Sequence, residues 1–248
     1  MRAPVDAFIN LAHALGQEHL DRFAAAAKTV FSEIMETPSA DDVFNPTYQR
    51  KSSYSDWLRE GMMTTLLHMS ALHEQVEVGV RQGTLKDYVN EVVKSIPALT
   101  SDYRLMASLR NNLALLAEAA PGPFLDALER LLEGDVAKIK PIFEETKGFI
   151  SPETHHEGVL WALETLAWDP NYLSRVAIVL ARLAALDPGG STTNRPINSL
   201  REIFLSWSPR TRANLEKRKA VLTRVFKVVP EISWDLITRL LPKLMCPR

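Results

Sequence analysis

Helical periodicity, interrupted at intervals by proline, is the feature that most restricts how this chain can fold. From Leu20, apolar residues recur at Phe23, Ala24, Ala27, Val30, Phe31 and Ile34. Steps of three and four place such residues in one stripe along a helix. The spacing returns after Ser55 at Trp57, Leu58, Met62, Thr65, Leu66, Met69 and Leu72, and after Thr84 at Leu85, Tyr88, Val89, Val92, Val93 and Ile96. Ser55 and Thr84 read as N-caps, because their hydroxyls can accept from a first-turn amide that has no partner within the helix. The first of these helices is expected to reach Val80, and the second to stop at Pro97.

Farther along, a loose repeat emerges in three copies: Leu113 to Leu132, Trp161 to Leu180, and Val221 to Leu240. In each, a helix ends near a proline (Pro121, Pro170, Pro230), an aromatic follows (Phe124, Tyr172, Trp234), and a second helix begins. Proline cannot continue the first helix but suits the first turn of the next. The aromatic is expected to wedge between the two. A helix pair has an apolar face too wide to bury alone, so neighbouring pairs must stack. The expected fold is therefore all-α: stacked antiparallel helix pairs, as a HEAT-like or TPR-like α-solenoid or a helical bundle. Ten glycines in 248 residues suit that reading, since glycine loses most freedom in a helix. No run alternates in the manner of a strand.

Two stretches lack periodicity. Residues 36–53 contain Pro38, Asn45 and Pro46 and divide the chain into an N-terminal helix pair (1–35), a long loop or linker (36–53) and a helical-repeat body (54–248). Residues 186–199 are rich in turn formers, and Asn198 or Ser199 is expected to cap the helix from Leu200 to Trp207.

Catalytic signatures are missing from the linear sequence. His155-His156-Glu157 lacks the i, i+4 histidine pair of a zinc protease helix and reads as a polar, surface-exposed helix start. His68 and His73 are five apart, roughly 140° around a helix, and so poorly placed to share one ion. Asp41-Asp42 lacks the alternating acids and central glycine of a calcium loop. Glu118 and Glu144-Glu145 read as solvated helix-face charges. Gly189-Gly190-Ser191 has the flexibility of a phosphate loop but neither strand nor lysine. Cys246 has no readable histidine partner. No catalytic residue, metal ligand or cofactor is assigned.

Charge is informative only in its distribution. The net is −1, yet residues 209–248 hold ten Lys/Arg against three Asp/Glu, leaving 19 against 27 in the rest. A helix over 212–229 would place Lys217, Arg224 and Lys227 on one face and Leu215, Leu222, Val225, Phe226 and Val229 on a buried one, with Arg218 near the boundary. Lys217, Arg218, Arg224 and Lys227 are the candidate interaction residues. The segment fits a solvated face beside an acidic neighbour, intramolecular docking, or contact with an anionic partner such as nucleic acid. The lone cysteine excludes an internal disulfide and points to a reducing, cytoplasmic setting. No stretch approaches the roughly 20 apolar residues of a membrane span, and no membrane partner is expected.

Residues Leu160 to Ala177, Leu183 to Gly190, Asn194 to Phe204, and Leu215-Glu-Lys-Arg with Val229 to Trp234 together resemble the helical-repeat region of very large bacterial proteins. Several of those resemble signal-transduction NTPases of the STAND class, some linked to defence against phage. The resemblance covers roughly residues 100–248. It implies a sensing or assembly module without the ATPase, either a fragment of a sensor region or a stand-alone relative. It carries over no catalytic residue: the matching Trp161, Trp168, Pro170, Arg195, Pro196, Asn198 and Trp234 look structural, and Arg195 and Asn198 are placed to satisfy carbonyls at helix ends. The expected function is non-catalytic macromolecular interaction or sensing, with a protein partner, in a bacterial defence or signalling protein. The alternative is an enzyme whose site assembles in the helical groove from non-contiguous residues.

Overall fold

Ser55 and Thr84 do start helices. The Ser55 hydroxyl accepts from the Leu58 amide at 3.2 Å. Thr84 accepts from Asp87 N–H at 3.1 Å while the Asp87 carboxylate takes the Thr84 amide at 2.9 Å, a reciprocal capping box. The computed structural model describes residues 4–35, 52–134, 138–146 and 153–241. Asp41-Asp42, most of the 36–53 loop and Cys246 lie outside the described residues.

The elements in chain order are α1 (Pro4–Leu11), α2 (Gln17–Phe31), α3 (Asp56–Ala71), α4 (Leu85–Lys94), α5 (Tyr103–Ser108), α6 (Leu113–Ala119), α7 (Pro121–Leu131), β1 (Glu145–Thr146), β2 (Glu153–Thr154), α8 (Glu157–Ala167), α9 (Leu173–Leu186), α10 (Pro196–Phe204), α11 (Leu215–Val228) and α12 (Ser233–Leu240). The fold is all-α. Its one departure among the described residues is the two-residue antiparallel pairing of β1 with β2.

Neighbour contacts sort the helices into two rows. In one, α3, α6, α8, α10 and α12 each pack on the next; in the other, α2, α4, α7, α9 and α11 do. Cross-row contacts join α2 with α3, α3 with α4, α6 with α7, α8 with α9, and α9 with α10. Phe8 of α1 sets its ring 6.4 Å from that of His68 on α3. One apolar cluster runs through the stack from Leu20 to Leu236, with Phe31, Leu66, Val93, Phe124, Leu163 and Leu180 fully buried. Helices α3, α6 and α8 run in the same direction. Their C-terminal residues Ala71, Glu118 and Leu166 share one groove, while Ser55 and Asn112 line a cavity at the opposite end. There Gly158, in the first turn of α8, lies against the backbone of Arg110.

Four expectations need correction. Helix α3 ends at Ala71 and does not reach Val80. Beyond it the backbone finds partners elsewhere: Gly79 N–H donates to the Leu15 carbonyl at 3.3 Å and Arg81 N–H to the Gln17 side chain at 2.7 Å. Val76, Val78 and Val80 pack on the core from that irregular segment. Neither Asn198 nor Ser199 caps α10, which starts earlier at Pro196. Asn198 instead bonds the Thr193 carbonyl at 2.7 Å, and Ser199 bonds Glu164 on α8 at 2.6 Å. The basic helix spans Leu215–Val228, capped by Asn214; Val225 and, just past its end, Val229 are buried as expected, Val221 is buried too, and Leu222 and Phe226 are half-buried. Leu215 is 51% exposed, since the helix enters the core only from Val221 onward. Finally, Phe124 wedges into the core as expected, but Trp234 is 76% exposed. Helices α11 and α12 lean on α9 and α10 respectively, so the third hairpin has no closed seam for an aromatic to fill.

Candidate functional site

Four places in the stack gather polar or aromatic side chains. The first is the turn-rich loop between α9 and α10. Its glycine and hydroxyl residues do surround an anion, as such loops can, but the anion belongs to the chain. Glu145 accepts from the Ser191 amide at 3.0 Å, the Ser191 hydroxyl at 2.6 Å, and the Thr192 amide at 3.3 Å. Arg195, 6% exposed, joins its guanidinium to the same carboxylate and reaches Asp187 at 3.0 Å and the Thr192 carbonyl at 3.2 Å. The Ser191 and Thr192 bonds and the Arg195 charge hold the Glu145 carboxyl down at about 2. Glu145 is thus not a solvated helix-face charge; it is in β1 and anchors a loop. Arg195 does satisfy one carbonyl, yet its main partners are two carboxylates.

His156 adjoins this clasp and is buried, not on the surface. Its Nε2–H donates to the Asn194 carbonyl at 2.8 Å, and its ring lies 5.1 Å from that of Phe143. Nδ1 has no partner. Burial, with the Arg195 charge beside it, pushes the His156 pKa down, outweighing the Asn194 bond. The histidine is a neutral core residue because a helix-start position happens to face the core where the clasp closes over it.

The second place is a polar cavity of about 370 Å³ between the N-terminal ends of α3 and α6, lined by Ser52, Ser55, Arg59, Ser108, Asn111 and Asn112 among others. Arg59 is 2% exposed and joins Glu33; its Nη2 also donates to Ser52 Oγ at 2.8 Å, while its Nε has no partner among the described residues. Burial works to raise the Glu33 pKa, but bonds from Ser53 and Ser52 and the Arg59 charge prevail and hold it below the ordinary value. Nothing in the linear sequence marks Arg59 and Glu33, which are 26 residues apart.

The third is an apolar groove of about 510 Å³ walled by Val5, Leu67, Leu72, Leu166, Trp168 and Tyr172. His68, Glu118 and Asp169 also line it. Glu118 is exposed and Asp169 accepts from the Asn171 amide at 2.8 Å, completing a turn. His73 bonds the Ser70 carbonyl. Among the described residues no group of three or more His, Cys, Asp or Glu is placed to hold a metal, and no helix is long and apolar enough to cross a membrane.

The fourth feature is aromatic. Every tryptophan of the chain is more than half exposed: Trp57 86%, Trp161 51%, Trp168 55%, Trp207 60% and Trp234 76%. The expectation that Trp161, Trp168 and Trp234 are structural is at odds with their place at the surface. Trp57, Trp161 and Trp234 stand on α3, α8 and α12, all members of one row. Trp168 and Trp207 follow the ends of α8 and α10 in that row. The spacing carries the signal: Trp57 is nine residues from the buried Leu66, roughly 180° away around the helix.

Among the basic residues singled out, Lys217, Arg224 and Lys227 are exposed on α11. Arg218 is half-buried and donates to the Leu205 carbonyl at 3.3 Å, a cation at the C-terminal end of α10. No family model, curated protein or solved structure matches this chain.

Proposed function

We propose that the protein is a helical-repeat interaction module, and that the row of α3, α6, α8, α10 and α12 presents the surface that grips a protein partner. The observation that carries this reading is the exposure of Trp57, Trp161 and Trp234 along that row. Tryptophan is usually well buried, and it is the residue most enriched among those that dominate binding energy at interfaces. Each offers on the order of 100 Å² of rigid apolar surface to a partner. Helix α6 separates α3 from α8, so Trp57 and Trp161 lie roughly 16–20 Å apart at ordinary interhelical distances, a span that suits a macromolecular face. The resemblance of residues 100–248 to STAND-type sensor regions supports a sensing role in a bacterial defence or signalling pathway.

The test is affinity capture from a native host extract, with and without phage infection, using the wild type and a Trp57→Ala/Trp161→Ala/Trp234→Ala variant. A specific partner held by the wild type and lost by the variant, at unchanged thermal stability, is the expected result. Capture of the same proteins by both would sink the reading.

A further inference from the structure

Between Arg210 and Lys227 the chain holds seven cations and one acid, Glu216. Elsewhere Arg81, Lys94, Arg104, Arg175 and Arg239 each hold a carboxylate. On α11 only Lys219 does, with Glu216 one turn earlier. Arg212, Lys217, Arg224 and Lys227 are exposed, and among the described residues none has a carboxylate within ion-pairing reach. The described acidic residues of the body therefore do not take up this charge. Lys217 and Arg224 are seven residues apart and Arg224 and Lys227 three, so they share a face about 15 Å long. The small Ala220 lies between them.

Two exposed tryptophans stand on segments that are hydrogen-bonded to α11 and the chain just before it. The Arg212 amide donates to the Trp168 carbonyl at 3.1 Å, which ties the segment before α11 to the end of α8. The Arg218 bond to the Leu205 carbonyl brings the first turns of α11 to the segment carrying Trp207. Arg224 touches Ser174 Oγ at 3.4 Å, close to the chain that leads back to Trp168. Unpaired cations alone would suit any polyanion. Cations bordered by flat, solvent-facing aromatic rings suit one whose bases are free to stack. A duplex keeps its base faces stacked internally, and an acidic peptide has none.

We propose that the basic face of α11, with Trp168 and Trp207 at its edge, binds single-stranded nucleic acid. Lys217, Arg224, Lys227 and Arg212 take phosphates, and the two indoles take bases. The proposal uses none of Trp57, Trp161 and Trp234, the residues that test the protein-partner reading, so its failure would leave that reading standing.

The experiment is fluorescence anisotropy of labelled mixed-sequence oligonucleotides, single-stranded RNA, single-stranded DNA and a duplex, titrated with the full chain. Three to four neutralised phosphates give a log–log salt slope of about −2 to −3, a loss of roughly 16- to 60-fold between about 50 and 200 mM salt. Lys217→Glu with Arg224→Glu should abolish binding. Trp168→Ala with Trp207→Ala should weaken it by roughly thirty-fold or more while leaving the salt slope in place. Comparison of the RNA and DNA arms identifies which strand chemistry is preferred. The proposal is overturned by no binding at the lower salt, by equal affinity for the duplex, by equal competition from polyglutamate, or by variants that bind like the wild type with unchanged circular dichroism.

Discussion

Arg195 reaches Glu145, fifty positions earlier in the chain, and the pair ties the loop of Ser191 and Thr192 to β1. Burying two charges is costly, and the arrangement holds because further donors complete Glu145 and further acceptors complete Arg195. Arg195→Leu leaves Asp187, itself largely buried, with only the Gly189 amide at 2.9 Å. The expected loss is about 3 kcal/mol, the scale of an uncompensated buried charge. Adding Asp187→Asn should restore part of it. Denaturant unfolding of the three proteins measures both steps, and a double variant no more stable than the single would refute the charge argument.

Acid should weaken the fold in two stages. The folded-state pKa of His156 is depressed, so the unfolded chain binds the extra proton first. Stability is therefore full above the ordinary histidine value, about 6.5, and falls as pH drops below it. Glu145, held at about 2, adds a second loss that begins near the ordinary glutamate value of 4.5 and is complete only near 2. Unfolding midpoints followed from pH 7.5 downward should show both. His156→Gln should flatten the first stage and leave the second, which separates the histidine from the carboxylates.

What is legible in the sequence and what is not divides along distance in the chain. The caps at Ser55 and Thr84, the stripes of α2 and α4, and Pro121 at the start of α7 are local, since periodicity and capping act within a few residues. The end of α3 is not local. His73 to Val80 leave the helix because the Leu15–Gln17 turn supplies hydrogen bonds to Gly79 and Arg81. The same holds for Glu145, whose partners are 46 to 50 residues distant, and for the Arg59–Glu33 pair. Exposure of the tryptophans is legible in principle. Trp234 is two residues from the buried Leu236, roughly 200° around the helix, so a single stripe cannot contain both.

That exposure has a spectroscopic consequence. With every indole more than half accessible, native fluorescence should have the emission maximum of solvated tryptophan and shift little on unfolding. Acrylamide should quench it nearly as well before as after denaturation. Trp57→Ala should change stability by no more than about 0.5 kcal/mol, whereas truncation of the fully buried Phe124 should cost about 3–5 kcal/mol. A blue-shifted native emission that depends on protein concentration would mean that a second copy covers the row.

Gly158 sets how closely α8 approaches the turn at Arg110. A Cβ at this position would meet the Arg110 carbonyl oxygen and lie 2.8 Å from its Cα. These are backbone atoms, which no rotamer change can move aside. In an unconstrained helix, replacing glycine by alanine stabilises by up to about 1 kcal/mol. Here steric overlap opposes that gain: α8 must shift from the start of α6, disturbing Val159, Leu160 and Leu163, all fully buried. Overpacking of this sort costs about 1–3 kcal/mol, so Gly158→Ala should lower stability although it raises helix propensity. At Gly61 on α3 an added Cβ would meet nothing within 4 Å outside its own helix backbone and chain neighbours, and alanine there should be neutral or stabilising. Thermal melts of the two variants, with Gly158→Ala lowered and Gly61→Ala not, check whether backbone approach or intrinsic propensity decides at Gly158.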